Sequence, residues 1–344
     1  MTLAAGLSAV LLNAGPLAAP ALAYELPTVD RGVTADLTAV ADLSPHAATA
    51  DVFGWPFASS TAAMVMVSDT NEVGQLHTIM GYDLDQVRNG GVAVPRLYLS
   101  AFPEGWADVS SVAERKGLFF RTFLPLILRV NEAITADRAI LSDLRDRLAA
   151  GDIPSAGEID WLVDLAVLYR VLPPEAAEEG SAVALTLDDL DTLLTRVDVV
   201  PPSLAMAQAV EESGWGRSRF AQEGNAMFGQ YTWGDNGIIP MQRNAGDSHR
   251  IRSFDSLLQS VAAYALNLNV HSAYGEFRAE RARMRANGEA LDGRALVSTL
   301  TRYSERPQAY MRNLRQTIDA NALGDFDTAI LAPGTPIHVQ PARF

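Results

Sequence analysis

Residues 207–216 read Ala207-Gln208-Ala209-Val210-Glu211-Glu212-Ser213-Gly214-Trp215-Gly216. The pattern predicts the last turns of a helix that ends at Gly214, because glycine closes a helix in the left-handed conformation at low cost. Glu212 then lies at the negative end of the helix dipole, and the aromatic Trp215 that follows excludes water. Both effects favour a protonated carboxyl group near neutral pH.

A protonated carboxyl group is what a general acid needs to cleave a glycosidic bond. The same residues also describe an ordinary helix C-terminus, in which Glu212 has no chemical role. Perturbed carboxyl groups mark functional sites only statistically, so this stretch alone leaves both interpretations open.

The residues that follow provide the decisive pattern. After Trp215-Gly216 the chain continues to Asn225-Ala226-Met227-Phe228-Gly229. Together these segments resemble the bacterial peptidoglycan endo-β-N-acetylglucosaminidases of the flagellar and autolysin type, which read Ala-Gln-Ala-x-x-Glu-Ser-Gly-Trp-Gly and then Asn-x-x-Phe-Gly. The segment from Tyr264 to Tyr274 is similar to the Bax-like branch of that family, and Tyr303 to Tyr310 resembles its closing Tyr-x-x-x-x-x-x-Tyr segment. The resemblance is dense over residues 201–323.

The resemblance implies a mainly α (α+β) fold, with a lysozyme-like helical lobe and a small β-hairpin lobe, preceded by a helical extension. It makes Glu212 the catalytic acid. Glu211 is adjacent and therefore about 100° away around the helix, so both side chains cannot face one cleft. The resemblance also assigns a catalytic role to Tyr303, and we expect four further residues to bind substrate. These are Trp215, Asn225, Phe228 and Gln230.

A glycosidase usually has a second group that activates water or stabilises the transition state. In this family the group is a carboxylate of the β lobe, an active-site tyrosine or the acetamido group of the substrate. The sequence has no Glu between Glu223 and Glu276, and Asp235 and Asp247 lie in predicted turns. The resemblance favours Tyr303 as the second group, because Tyr303 matches the family's closing segment and a phenol can hydrogen-bond to water or to developing charge.

The resemblance implies a hydrolase that cleaves β-1,4 bonds after N-acetylglucosamine in peptidoglycan glycan strands. Two alternatives stay open. The chain could be a lytic transglycosylase of the same fold, although those enzymes usually follow Glu-Ser with a Gly-Leu-Met-Gln type of segment. It could also be a catalytically weak glycan-binding or scaffold module, with residues 24–95 engaging a protein partner in the cell envelope.

Composition narrows the range of partners. The chain has 344 residues and a formal charge of −14, which argues against nucleic acid as a partner. It has no cysteine, and its five histidines show no metal-binding spacing, so we expect neither a metal nor a cofactor. Four arginines could form a local basic groove or a solvated helix face: Arg278, Arg281, Arg283 and Arg285.

The first residues indicate export. The segment from Leu3 to Ala23 is apolar and ends with Ala21-Leu22-Ala23, which is typical of a secretory signal peptide over residues 1–23. We therefore expect a periplasmic or cell-envelope protein. The segment lacks an initial Lys or Arg, so an uncleaved membrane anchor is the alternative.

The remaining pattern divides the chain into four regions. Residues 24–95 are expected to be irregular with a few strands, residues 96–198 helical, residues 199–325 the glucosaminidase domain, and residues 326–344 a tail. Helix N-caps are predicted at Ser110 or Ser111, Ser155, Thr186 and Ser253, and Pro125 is expected to kink or divide its helix. Short strands are predicted over residues 228–233, 238–241 and 250–253.

Overall fold

The computed structural model describes residues 63–178, 184–240 and 249–342. Helices dominate, and two three-stranded sheets complete the structure, so the mainly α (α+β) class is confirmed. The predicted signal peptide lies outside the described residues. Within the described ranges, no helix has the length and apolarity needed to cross a membrane.

Eleven of the helices and strands in the described ranges precede β5, and six follow from β5 onward. The first group is β1 (Ala63–Val67), α1 (Thr70–Ile79), α2 (Leu84–Arg88), β2 (Leu97–Leu99), α3 (Val112–Ala149), α4 (Ala156–Leu168), α5 (Leu187–Arg196), α6 (Pro202–Ser213), α7 (Arg219–Gly224), β3 (Tyr231–Thr232) and β4 (Gly237–Ile238). The second group is β5 (Arg250–Arg252), α8 (Leu257–Val270), α9 (Gly275–Ala286), α10 (Gly293–Leu296), α11 (Pro307–Ala320) and β6 (Ile337–Pro341).

Side-chain caps begin several helices where the sequence predicts them. Ser111 caps α3, while Ser155 and Thr186 form reciprocal capping boxes with Glu158 and Asp189. The Ser253 prediction is wrong, because the cap of α8 is Ser256, whose hydroxyl accepts from the amide of Gln259 at 3.2 Å.

The expected division at Pro125 is also wrong. Helix α3 runs without interruption for 38 residues and contains Pro125 in its interior. Its neighbours are almost entirely buried, from Leu118 to Val130, and the helix packs against α5, α6 and α8. Burial of this apolar face stabilises the helix by more than the roughly 3 kcal/mol that an interior proline costs.

A parallel sheet joins the two ends of the described chain. Strand β6 lies between β1 and β2, with Val339 opposite both Val65 and Leu99. The expectation of an irregular region up to residue 95 is therefore wrong from Ala63 onward, where β1, α1, α2 and the approach to β2 are ordered. The expected tail after residue 326 is likewise a structural strand. Residues 24–62 lie outside the described ranges.

The predicted helical extension and the predicted catalytic domain share one hydrophobic core. Phe119 and Phe123 of α3, Leu204 of α6 and Leu268 of α8 are all fully buried in that core. The predicted boundary at residue 198 therefore marks no break in packing. Because α3 supports α6 directly, the segment before the boundary positions the candidate site.

The small antiparallel sheet is the predicted β lobe. Strand β5 pairs with both β3 and β4, and the bend over residues 233–236 joins those two outer strands. Gly237 is required at its position, because an added Cβ would lie 2.8 Å from the carbonyl oxygen of Ile251. Asp247 lies outside the described residues.

The four arginines on α9 do not form one basic groove, and Arg283 and Arg285 are the two that are exposed. Arg281 is completely buried and donates to the carbonyl oxygens of Thr195, Asp198 and Val199. Arg285 donates to both carboxylate oxygens of Asp198. Both residues, like Arg278, bind structural acceptors on neighbouring elements, whereas Arg283 pairs at the surface with Glu280 and Glu289.

Candidate active site

Helix α6 places Glu212 in the interior of the fold. The helix begins at Pro202, where a first-turn proline is tolerated, and ends at Gly214 with φ 58° and ψ 47°. The predicted left-handed C-terminus is therefore confirmed. Ser213 then fixes the turn, because its hydroxyl donates to Ala209 and accepts from the amide of Gly216.

The carboxylate of Asp327, which is distant in sequence, caps the N-terminal end of α6. Asp327 accepts from the amide and the hydroxyl of Ser203, both at 2.7 Å, and from the amide of Gly293 at 3.1 Å. An acid at a helix N-terminus satisfies free amides and complements the helix dipole. This tertiary cap connects α6 to the segment that leads into β6.

The carboxyl group of Glu212 is partly exposed but largely surrounded by protein. Burial raises its pKa from 4.5 to about 7, a hydrogen bond from Tyr310 opposes that rise, and the negative charge of Glu211 adds to it. Desolvation disfavours the charged form of a carboxyl group. Glu212 is therefore poised to be protonated around neutrality, as the sequence predicts.

A chain of buried hydrogen bonds leads to Glu212. The hydroxyl of Tyr264 donates to Oε1 of Gln208 at 2.6 Å, and Nε2 of Gln208 donates to the hydroxyl of Tyr310 at 2.8 Å. Tyr310 in turn donates to the carboxylate of Glu212. All donors point in one direction, so each bond polarises the next one toward the acid.

Aromatic rings enclose the same chain. Tyr303 stacks on Tyr310 with ring centroids 5.3 Å apart and planes within 7°, and Tyr274 lies 5.7 Å from Tyr303. Phe228 stacks on Tyr264 at 3.9 Å. Burial raises the pKa values of Tyr264, Tyr303 and Tyr310, and the charge of Glu212 raises them further.

The structure brings Tyr303 close to Glu212, but Tyr310 is the tyrosine that touches the acid. Gln208, Tyr264, Tyr274 and Tyr310 are absent from the set of residues predicted from the sequence. Signals for them exist, since Gln208 belongs to the Ala-Gln-Ala motif and Tyr310 ends the closing segment. Only the folded chain shows that these positions meet.

Trp215 lies on the side of α6 that faces α3. Its ring contacts Phe119 and Phe120 edge-on, both at 5.5 Å, and its carbonyl oxygen accepts from Nε1 of Trp106 at 3.1 Å. Its φ of 66° is unusual for a residue other than glycine. These contacts anchor the end of the Glu212 helix to α3.

Asn225 and Gln230 fix the chain that leaves the site. Asn225 ends α7 in the left-handed conformation, and its Nδ2 donates to the carbonyl oxygen of Phe254 at 3.0 Å, as expected of a loop-fixing residue. Gln230 Nε2 donates to Ala263 at 3.0 Å. Its Oε1 is buried and has no partner among the described residues.

The other acids near the site are differently placed. Glu211 is exposed and accepts from Nδ2 of Asn313 at 2.9 Å, in agreement with its expected solvent-facing position. Asp235 is fully solvent-exposed at the tip of the β lobe and lies 3.7 Å from Arg250. Within the described ranges, no cluster of three or more His, Cys, Asp or Glu side chains could hold a metal ion.

Comparison with known sequences agrees with this geometry. Residues 189–323 match the glucosaminidase family, described as mannosyl-glycoprotein endo-beta-N-acetylglucosaminidase. The chain is also 34% identical over 196 residues to Protein bax of Escherichia coli (strain K12). Residues 189–323 therefore form a glucosaminidase-family domain, and the chain resembles Protein bax.

The family match covers the whole candidate site, from α6 to α11. The alignment with Protein bax covers 57% of the chain and 66% of that relative, so the chain spans just under two thirds of the relative's length. No solved structure matches the chain.

Proposed function

We propose that this chain is a peptidoglycan glycosidase that hydrolyses β-1,4 bonds after N-acetylglucosamine, with Glu212 as the general acid. One observation carries the proposal: burial raises the pKa of Glu212 to about 7 at the end of a directed hydrogen-bond chain. A carboxyl group with that pKa can hold a proton near neutral pH and deliver it to the leaving oxygen. Family membership supports the substrate class.

The chain from Tyr264 through Gln208 to Tyr310 would stabilise Glu212 after it has given up its proton. Tyr310 donates to the carboxylate form, and its own hydroxyl is held by Gln208. Glu212 would then recover a proton from the water that completes hydrolysis. The stacked pair of Tyr303 and Tyr310 keeps the acid away from bulk water on one side.

We propose Tyr303 as the second catalytic group. Asp235 points into solvent, and Glu211 is bound to Asn313 on another face of α6. Tyr303 is partly exposed beside the acid, so its hydroxyl can reach water or the substrate. The substrate's acetamido group is the competing candidate for this role.

The decisive experiment is digestion of purified peptidoglycan, with the products identified by mass spectrometry. Glu212→Gln keeps the shape of the side chain but cannot deliver a proton, so the rate should fall about a hundredfold or more. Glu211→Gln is the matched control and should retain most of the activity. Anhydro-muramic ends would point to transglycosylation, and binding without released fragments would point to a glycan-binding module.

Export places the protein at this substrate. We propose a periplasmic or envelope location on the basis of the apolar segment Leu3 to Ala23. N-terminal sequencing of envelope-extracted protein should begin near Tyr24. An intact Met1 on membrane-bound protein would instead identify an uncleaved anchor.

A further inference from the structure

Two arginines beside the tyrosine cluster are free to bind an external anion. Arg302 and Arg306 flank Tyr303 and are exposed. Across residues 63–178, 184–240 and 249–342, neither side chain has a hydrogen-bonding or ion-pair partner. Arg294 and Arg283, which are also exposed, are instead paired with Asp319 and Glu280.

The same place holds an uncapped helix N-terminus. Helix α11 begins at Pro307, directly after Arg306, and no side chain caps its first turn. The free amides and the dipole of a 14-residue helix attract an anion at this end. The two arginines and this helix end favour negative charge here, and the exposed Glu305 between the arginines is the one acid of residues 301–307.

The position of these groups connects them to the candidate acid. Tyr310 lies in the first turn of α11 and donates to Glu212, and Tyr303 stacks on Tyr310. Tyr310 is three positions after Pro307, which is about 4.5 Å along the helix axis. Arg306 therefore lies within about one helical turn of the tyrosine that binds Glu212, and Arg302 directly precedes the tyrosine that stacks on it.

The arginines do not serve as counter-ions for the acid itself. The groups that act on Glu212 are Tyr310 and Glu211, with no arginine among them. Backbone contacts in this segment are local, since the amide of Arg306 donates to the hydroxyl of Ser304. The guanidinium groups remain available to a ligand.

We propose that Arg302 and Arg306 bind a carboxylate of the substrate and thereby favour acidic glycan strands over neutral ones. This inference rests on the proposed function and names the chemical group that the site recognises. Guanidinium groups suit carboxylates because they can donate two parallel hydrogen bonds. In a peptidoglycan strand the carboxylate belongs either to the stem peptide or to the lactyl group of a peptide-free sugar.

Binding to a full-length Glu212→Gln protein tests the inference without depending on turnover. The probes are peptide-bearing glycan strands, peptide-free strands with lactyl carboxylates, and neutral chitin oligosaccharides. Adding Arg302→Gln and Arg306→Gln together should raise Kd for acidic strands roughly three- to tenfold, as expected for two exposed ion pairs. Kd for chitin oligosaccharides should stay unchanged.

Arg312→Gln is the matched control. Arg312 is also exposed, but it lies two residues beyond Tyr310 and so about 200° around α11. A rise in Kd limited to peptide-bearing strands assigns the stem-peptide carboxylate, a rise limited to peptide-free strands assigns the lactyl carboxylate, and a rise for both shows that either carboxylate binds. Any of four results would overturn the inference. The double variant and its parent could have equal Kd values, or Kd for chitin oligosaccharides could rise as much as Kd for acidic strands. Arg312→Gln could have an equal effect, or no acidic strand could bind at all. Failure of the proposed function would appear separately, as absent cleavage by the unsubstituted chain.

Discussion

The hydroxyl of Tyr310 donates a hydrogen bond to the carboxylate of Glu212, although 98 positions separate the two residues in the sequence. The bond favours the ionised form of Glu212 and limits the rise in pKa that burial causes. Tyr310 therefore sets the pH range in which the acid is protonated. This relationship makes Tyr310 a positioning and tuning residue for the proposed reaction.

Tyr310→Phe should move the alkaline limb of the pH–rate profile upward. The variant loses a donor to the charged form, so the pKa of Glu212 rises and the acid keeps its proton at higher pH. The shift should be up to about one pH unit, the equivalent of one net hydrogen bond. Steady-state rates between pH 5 and 9 measure it. Tyr274→Phe is the control, because the hydroxyl of Tyr274 binds Asn267. The alkaline limb of the pH–rate profile of that variant should not move.

Glu212→Gln should stabilise the protein only at higher pH. The pKa of Glu212 is about 7 in the folded chain against 4.5 as the reference value, so ionisation favours unfolding. Below pH 4.5 the carboxyl is neutral in both states, and the substitution has little effect. The gain in unfolding free energy grows between pH 4.5 and 7 and is complete above pH 7. Its full size should be on the order of 1–3 kcal/mol, after allowance for the partial exposure of Glu212.

Thermal or urea unfolding at pH 4 and pH 8 measures this difference. Glu211→Gln is the matched control, because its side chain is exposed and bound to Asn313. A Glu212→Gln protein with the same stability gain at both pH values would contradict a buried, destabilising carboxylate.

Gln208→Met should cost about 2–4 kcal/mol of unfolding free energy. The thioether keeps most of the side-chain volume, but it leaves the hydroxyls of Tyr264 and Tyr310 without their buried partner. Gln230→Met removes one hydrogen bond, to the carbonyl oxygen of Ala263, and should cost roughly 1 kcal/mol or less. Equal denaturation midpoints for the two variants would show that the chain to Glu212 adds no stability.

Gly214→Asn should be tolerated better than Gly214→Val. No atom lies within 4 Å of an added Cβ, so the cost comes only from the left-handed backbone at φ 58°. Asparagine adopts that conformation more readily than a β-branched residue does, and the difference should be about 1 kcal/mol or more. Melting temperatures of the two variants provide the measurement.

Asp198→Asn should be strongly destabilising, by about 3–5 kcal/mol, because it leaves the buried guanidinium of Arg281 without its countercharge. Arg281, Arg285 and Arg138 surround this carboxylate, and their hydrogen bonds and charges hold the pKa of Asp198 below its usual range. Arg283→Gln, on the same helix, breaks only surface pairs and should change stability by less than 1 kcal/mol. Chemical denaturation of both variants separates the two roles.

Local signals in the sequence predict the helix ends well. The caps at Ser111, Ser155 and Thr186 and the stop at Gly214 follow from side chains that act within four residues. Pro125 shows where local reasoning fails, because tertiary packing around α3 overrides the intrinsic preference against proline.

The candidate site likewise combines a local feature that the sequence predicts with tertiary contacts that it does not. Glu212 is recognisable because its motif and its helix end lie in one stretch of sequence. Its contact with Tyr310 depends on how α6 packs against α11, and the role of Arg281 depends on burial against α5. Such pairings are tertiary, so no window of sequence around either residue contains them.

The position of β6 has a consequence for biogenesis. Ala63 of β1 pairs with Ile337 of β6, about 270 positions later, so the sheet cannot close until nearly all of the described chain has been synthesised. Until then, β1 and β2 expose the edges that β6 will occupy, which are sites for unwanted pairing with other chains. Any ribosomal product that stops before Ile337 would therefore be a substrate for chaperones or proteases, even though it already contains Glu212 and Tyr310.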